Sequence, residues 1–358
     1  MLTVEQRDQH RVHLAPPSAA VSAGGRYIAF TTFSKLAAAD RDEARDVYVL
    51  DRRDHRVTLE SAALQGSAEG SHPVMSGDGR FLLYETAGAV MFRDRNEDAI
   101  RSLGNGRQPS ISADGTTVVF TSDVSGRISV YDVQTGGLSS IGASGAGASP
   151  AVSAEGRYIA FSANRSVFVH DRHANFTKQI AAGWDPAISA DGRHVAYVSY
   201  VSPNRTLYNV FVADRETGRT QLVSRTRKGR PANGASANPA ISADGQVVAF
   251  QSDASNLLHS EDFNLLWDVF LFDRKADTMT RVSGDPDAAW LEPSGGPALD
   301  ASGRIVAFSS RHPTDASDKR NDFDLFVAVY VGEPQVVAFE RRQQPFPHIL
   351  PAAPAIAF

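Results

Sequence analysis

Seven times along this chain of 358 residues one short pattern recurs, and its clearest copies are P-A-I-S-A-D-G-R-H-V-A-Y (Pro186–Tyr197) and P-A-I-S-A-D-G-Q-V-V-A-F (Pro239–Phe250). The turn glycines Gly25, Gly79, Gly115, Gly156, Gly192, Gly245 and Gly303 anchor the copies, which lie 36 to 58 residues apart. A period of that length with variable insertions marks an array of supersecondary units, none of which can bury its apolar face alone.

Six residues before the glycine stands Pro73, Pro109, Pro150, Pro186, Pro239 or Pro297, with Ala19 in the first copy. Three residues before it stands a serine (Ser22, Ser76, Ser112, Ser153, Ser189, Ser242), replaced by Asp300 in the last copy. The Asp-Gly pair that follows predicts a tight hairpin of type I′, which needs positive φ. Each copy then alternates small and large residues up to an aromatic: Phe30, Tyr84, Phe120, Phe161, Tyr197, Phe250 or Phe308. Such alternation suits a strand held between two neighbouring sheets. A third strand rich in Val and aromatics ends on Asp51, Asp94, Asp132, Asp171, Asp214 or Asp273, and a short fourth follows a turn such as Glu216–Gly218. Four antiparallel strands per unit, seven units and no convincing helix predict an all-β, seven-bladed β-propeller of four-stranded antiparallel blades.

The repeat resembles that of the TolB-like propellers, whose hallmark is P-x-I-S-x-D-G-R-x-[VI]-A-[YF], and the resemblance covers nearly the whole chain. It is specific for fold and weak for activity. TolB itself carries an extra N-terminal α/β domain, for which this chain has no room. Docking of envelope proteins is what the resemblance implies, with a periplasmic or extracellular location. The start M-L-T-V-E-Q-R-D-Q-H carries charge where a signal peptide needs an apolar run, so a cytoplasmic location stays open.

Residues 1–340 are expected to form the propeller, with 1–15 supplying strands that close the last blade. Residues 341–358 form a tail rich in proline and apolar residues. A formal charge of −5 argues against a duplex nucleic-acid partner, which needs a basic face. The absence of cysteine excludes disulfides and thiolate chemistry. No window approaches the ~18 apolar residues of a membrane helix, so any tie to a membrane-associated complex would run through a partner.

In a meander of four strands, the 1–2 and 3–4 turns lie on one face, and the 2–3 loops and inter-blade loops on the other. Every long insertion falls in the second set, which marks it as the binding side. Trp184, Trp267 and Trp290 fall there too, as interface residues or as plugs that seat loops on the disc. The residues before the strand-one proline should ring the channel mouth: Ser18, His72, Gln108, Ser149, Asp185, Asn238 and Gly296, with Arg107 and Trp184 one step earlier. A polar ring suits a peptide or a small polar ligand; it equally suits a channel filled with water.

Asp40, Asp42 and Asp46 repeat as Asp262, Asn264 and Asp268, the same D-x-[DN]-x3-D. Oxygen ligands at such spacing suit calcium. The alternative is that the last aspartate caps strand three and the others face water. No cofactor is otherwise required. The chain lacks G-x-S-x-G and H-E-x-x-H, its histidines are scattered and expected mostly at the surface, and the glycine runs Gly104–Arg107 and Gly142–Gly147 read as inter-blade loops. The sequence therefore points to a non-catalytic scaffold for a protein or peptide partner, the alternative being a carbohydrate-active or hydrolytic enzyme with its site at the channel mouth.

Overall fold

The structure is a computed structural model that describes residues 19–61, 69–142, 147–201, 207–258, 266–283, 293–311, 324–330 and 334–338. The expected closing segment 1–15 and the tail 341–358 lie outside the described residues. Strands alone make up the regular structure described, arranged in six antiparallel sheets. Among the described residues no helix is long and apolar enough to cross a membrane.

The first sheet holds β1 (Ala19–Val21), β2 (Tyr27–Thr32), β3 (Asp46–Asp51) and β4 (Arg56–Leu59) in chain order. The second has seven strands: β5 (Ser71–Met75), β6 (Phe81–Thr86), β7 (Ala89–Asp94), β8 (Ala99–Ile111), β9 (Thr117–Ser122), β10 (Ile128–Asp132) and β11 (Leu138–Ile141). Four-stranded meanders follow: β12 (Gly147–Val152), β13 (Tyr158–Ala163), β14 (Ser166–Asp171) and β15 (Phe176–Ala182), then β16 (Trp184–Ile188), β17 (His194–Tyr200), β18 (Tyr208–Asp214) and β19 (Thr220–Leu222). The last two are β20 (Ser236–Ile241), β21 (Val247–Ser252), β22 (Asp268–Asp273) and β23 (Thr278–Arg281), and β24 (Ser294–Leu299), β25 (Ile305–Ser310), β26 (Asp324–Tyr330) and β27 (Pro334–Ala338).

The seven-stranded sheet departs from the expected separate blades. Its strand β8 serves two repeats, Ala99–Asn105 pairing with β7 and Gly106–Ile111 with β9. The stretch Gly104–Arg107, read from sequence as a loop, is therefore strand. Glycine is needed at 106 because a Cβ there would stand 2.6 Å from both the Phe120 ring and the Thr121 carbonyl.

The Asp-Gly turns also differ from expectation. The repeat glycines have φ of 68 to 75°, but the residues before them are not left-handed. Each glycine N–H donates to the carbonyl three residues earlier at 2.8 to 3.1 Å, so one left-handed glycine closes the turn, whereas type I′ needs two such residues. The repeat serine completes it, its Oγ accepting from the backbone N–H five residues on, as in Tyr27 to Ser22 and His194 to Ser189, both 2.9 Å. Asp300 does the same for Ile305 at 2.9 Å, which explains the exchange in the last copy.

The terminal aspartates tie the sheet edges. Asp51, Asp94, Asp171 and Asp214 pair with Arg26, Arg80, Arg157 and Arg193 at 2.6 to 2.8 Å. Each also accepts backbone N–H groups two and three residues on. The guanidinium holds each carboxyl below the usual range, that of Asp171 at about 2.

The cores lie between sheets. The strand-two aromatics are nearly or fully buried, and five stack on an aromatic directly opposite in strand three, as Phe161 on Phe168 with centroids 5.6 Å apart. Small residues beside them, such as Ala160 and Ala249, let the next sheet approach. Two of the histidines expected at the surface are buried instead: His170 meets Thr177 Oγ1 at 2.9 Å, and His194 packs under the Gly245 turn.

Backbone bonds link the repeats. Ala23 donates to Gly77, Gly77 to Ala113, Asp114 to Ala154, Ala154 to Ala190, Ala190 to Ala243, Ala243 to Ala301, and Ala301 back to Ala23, at 2.8 to 3.1 Å. At the other ends of the strands a second set runs from Gly70 to Arg45, Gly106 to Gly88, Gly147 to Gly126, Gly183 to Arg165 and Ser294 to Trp267.

Candidate functional site

The first strands of successive repeats pack side by side: β1 on β5, β5 on β8, β8 on β12, β12 on β16, β16 on β20, β20 on β24, and β24 on β1. The first strands β5, β8, β12, β16, β20 and β24 each carry a break in register that spans the proline, between Ser71 and Val74, Arg107 and Ser110, Ala148 and Ala151, Trp184 and Ala187, Ala237 and Ala240, and Gly295 and Ala298. Proline has no N–H to give to the ladder, and a bulge absorbs the missing bond. The residue before it is left-handed in every case: His72, Gln108, Ser149, Asp185 and Asn238 at φ 48 to 54°, and Gly296 at 62°. Holding one non-glycine residue there costs on the order of 1 kcal/mol, and such strain gathers where side chains must be aimed.

These residues are joined across repeats. Gln108 N–H donates to Glu85 Oε1 at 2.6 Å, Ser149 N–H to Gln108 Oε1 at 2.9 Å, and Gly296 N–H to Gln251 Oε1 at 2.9 Å. Gln108 Nε2 reaches Ser149 Oγ at 3.3 Å, and that hydroxyl bonds the Asp185 carboxylate. Asn238 Nδ2 donates to Gln251 Oε1 at 3.0 Å. His72 faces Glu85 at 3.3 Å, and this carboxylate raises the imidazole pKa above its ordinary value against the opposing effects of burial and Arg45. Burial raises the Asp185 carboxyl to about 6.

Glu85 and Gln251 were not singled out from sequence. Both directly follow the strand-two aromatic, where Thr31, Thr121, Ser162 and Ser309 are also polar. That periodic polar position was the available signal.

The remaining expected residues are spread along the same face. Arg107 is exposed and paired with Asp123. Trp267 is half-buried, its carbonyl accepting from Ser294 at 2.6 Å. Trp184 packs against Tyr200 and Tyr208, with centroids 5.1 and 5.9 Å away. Trp290, Asp262 and Asn264 lie outside the described residues.

Asp40, Asp42 and Asp46 do come together, offering carboxylate oxygens within 4.8 Å of one another. Asp40 accepts from Tyr48 Oη at 2.6 Å through one oxygen, and its other oxygen is buried without a partner. Asp46 accepts from Ser61, whose Oγ also takes the Val47 N–H. The same fifteen-residue pairing recurs as Asn209 with Ser224 and Asp268 with Ser283. Asp268 is thus fully buried and engaged, with Arg281 3.8 Å away.

Solved structures share the fold. The β-propeller domain of the trilobed protease of Pyrococcus furiosus aligns with a TM-score of 0.60 at 11% identity, over 90% of this chain and 96% of that one. Oligogalacturonate lyase of Vibrio parahaemolyticus aligns at 0.59 and 16%, over 87% and 88%. TolB of Acinetobacter baumannii gives 0.49 and 17% over 73% of this chain, which spans 64% of TolB's length. No family model and no curated protein sequence matches the chain. The fold is a β-propeller, and the repeat that builds it resembles the TolB-like one.

Proposed function

We propose that the chain forms a closed seven-bladed propeller acting as a non-catalytic scaffold, which binds a protein or peptide partner through its long-loop face and channel mouth. Closure is supported by the circuit of backbone bonds from Ala23 through Ala301 and back. The scaffold reading rests on the mouth residues, five of them non-glycine, polar and left-handed at equivalent positions. Side chains of neighbouring repeats hold several of their backbone N–H groups, so the ring presents a preformed polar surface to a ligand. A partner already in an envelope complex would bring this protein to the membrane.

A second reading, an enzyme at the channel mouth, is favoured by the His72–Glu85 pair, because a carboxylate-oriented imidazole suits acid–base work. The related fold of oligogalacturonate lyase shows that a propeller of this kind can carry chemistry. Capture from the native host separates the two. One stoichiometric partner, retained by the wild type and lost by Gln108→Ala/Asn238→Ala, supports the scaffold. Turnover of a glycan panel abolished by His72→Ala overturns it.

Calcium is the cation we propose for Asp40, Asp42 and Asp46, a hard-oxygen set that includes a buried oxygen without a partner.

A further inference from the structure

Between the sheet of β12–β15 and that of β16–β19 lies a cleft of about 370 Å³ on the long-loop face. Trp184, Tyr200, Ala148, Ser162 and Ala163 line it, together with the exposed pair Asn164 and Arg165. The pocket is locally determined on both sides. Asn164 and Arg165, at φ 50 and 58°, make the two-residue type I′ turn between β13 and β14. The Arg165 carbonyl is pinned by the Gly183 N–H of the next repeat at 2.8 Å.

Trp184 is an exception to the repeat. The residue before the left-handed position is Ser71, Ala148, Ala237 or Gly295 in four other copies and Arg107 in a fifth. A small residue suffices there to pack the sheets, so the indole is surplus to the fold. It stays half-buried, with Tyr200 and Tyr208 set against it at 57° and 65°. Trp184 and Tyr200 both line the cleft, so their rings present aromatic surface there to one more ring.

Arg165 is exposed and has no carboxylate partner among the described residues. Other arginines on this face, Arg45 and Arg107, are paired with Glu69 and Asp123. The cleft thus joins aromatic rings to the Arg165 guanidinium, which has no carboxylate partner among the described residues; a guanidinium binds carboxylates through two parallel N–H bonds. A sugar would need several in-plane hydrogen bonds, and the lining offers few: Ser162 Oγ already donates to the Ala148 carbonyl at 3.1 Å.

We propose that this cleft receives the carboxyl-terminal aromatic residue of a peptide or protein partner, its ring against Trp184 and Tyr200 and its α-carboxylate on Arg165. The proposal rests on the scaffold reading and names what that scaffold recognises.

The probes are acetyl-Ala-Gly-Ala-Phe with a free carboxylate, its C-terminal amide, acetyl-Ala-Gly-Ala-Ala, and D-glucuronate, each titrated at millimolar concentration by calorimetry. The free Phe peptide is expected to bind the wild type at least about tenfold more tightly than either its amide or the Ala peptide. Arg165→Gln, a change on an exposed turn, should remove the preference for free acid over amide and leave the melting temperature unchanged. Trp184→Ala should remove the preference for Phe over Ala, and Trp184→Phe should restore part of it. Equal binding of acid and amide, binding of glucuronate alone, or no heat with any probe overturns the cleft assignment. The scaffold reading fails separately, on loss of the captured partner's dependence on Gln108 and Asn238.

Discussion

The backbone N–H of Ala301 donates to the carbonyl of Ala23 at 3.1 Å, joining the last repeat of the chain to the first. On the same seam Ile305 fills the space that a Cβ on Gly25 would occupy. These contacts span nearly the whole chain, so the seam depends on long-range packing that a local change near it will disturb.

Asp300 supports the seam. It is buried and accepts from Ser302 Oγ, Arg304 N–H and Ile305 N–H at 2.6 to 2.9 Å. Asp300→Ala leaves these donors without an acceptor and should cost about 2 kcal/mol in denaturant unfolding. Asp300→Ser, the residue at this position in six other copies, should recover most of that loss. Equal loss in both variants would separate the effect from the turn serine's role.

Asp185 makes stability fall with rising pH. Its folded pKa of about 6 lies above the ordinary carboxylate value, so the native state holds the proton more tightly than the unfolded chain. The favourable contribution is complete below about pH 4 and is lost as pH rises towards 6. Asp185→Asn should therefore be the more stable protein at pH 7, by about 1–2 kcal/mol after allowance for partial solvation, and the gap should close at pH 4. Melting temperatures across this range check the sign.

Gly183 and Gly218 form a matched pair. Both have positive φ, but a Cβ on Gly183 would meet the Val198 carbonyl at 2.4 Å, whereas one on Gly218 meets nothing within 4 Å. Gly218→Ala should cost about 1 kcal/mol from backbone strain. Gly183→Ala should cost about 3 kcal/mol or more, and weaken the cleft beside Arg165 through the same displacement. Denaturation of the two variants side by side tests this.

Calcium added to chelator-treated protein should raise the melting temperature if Asp40, Asp42 and Asp46 hold it. Asp40→Asn should abolish most of the rise while keeping the Tyr48 contact, because an amide oxygen is a weaker ligand than a carboxylate. No shift in the wild type would reduce the three to a hydrogen-bonded loop with Asp46 serving Ser61.

Much of the scaffold was legible because its signals are local. The turn serine, the left-handed glycine and the arginine beyond it act within a few residues, and the terminal aspartate is reached across one hairpin. The turn type was misread because Asp-Gly is compatible with more than one turn, and the serine three residues before the glycine decides which forms. The fifteen-residue pairing of Asp46, Asn209 and Asp268 with their serines was missed because one end lies at the start of the third strand and the other two residues past the fourth, beyond a variable turn.

The equivalence of His72, Gln108, Asp185 and Asn238 followed from counting back from each proline. Their left-handed backbone did not, because it is imposed by the bulge against the second strand. Their partners Glu85 and Gln251 come from other strands, and which side chain bonds which N–H depends on how closely neighbouring sheets approach.

By itself the sequence determined the repeat, most of its strands, where its turns fall and the face that gathers the insertions, since period-two patterning and turn chemistry operate over a few residues. Only the tertiary structure decided that β8 would serve two repeats, that Ala301 would meet Ala23, and that Trp184 and Arg165 would border one cleft. Each of those depends on contacts between sheets, where the spacing set by packed aromatics, rather than any local propensity, brings distant residues together.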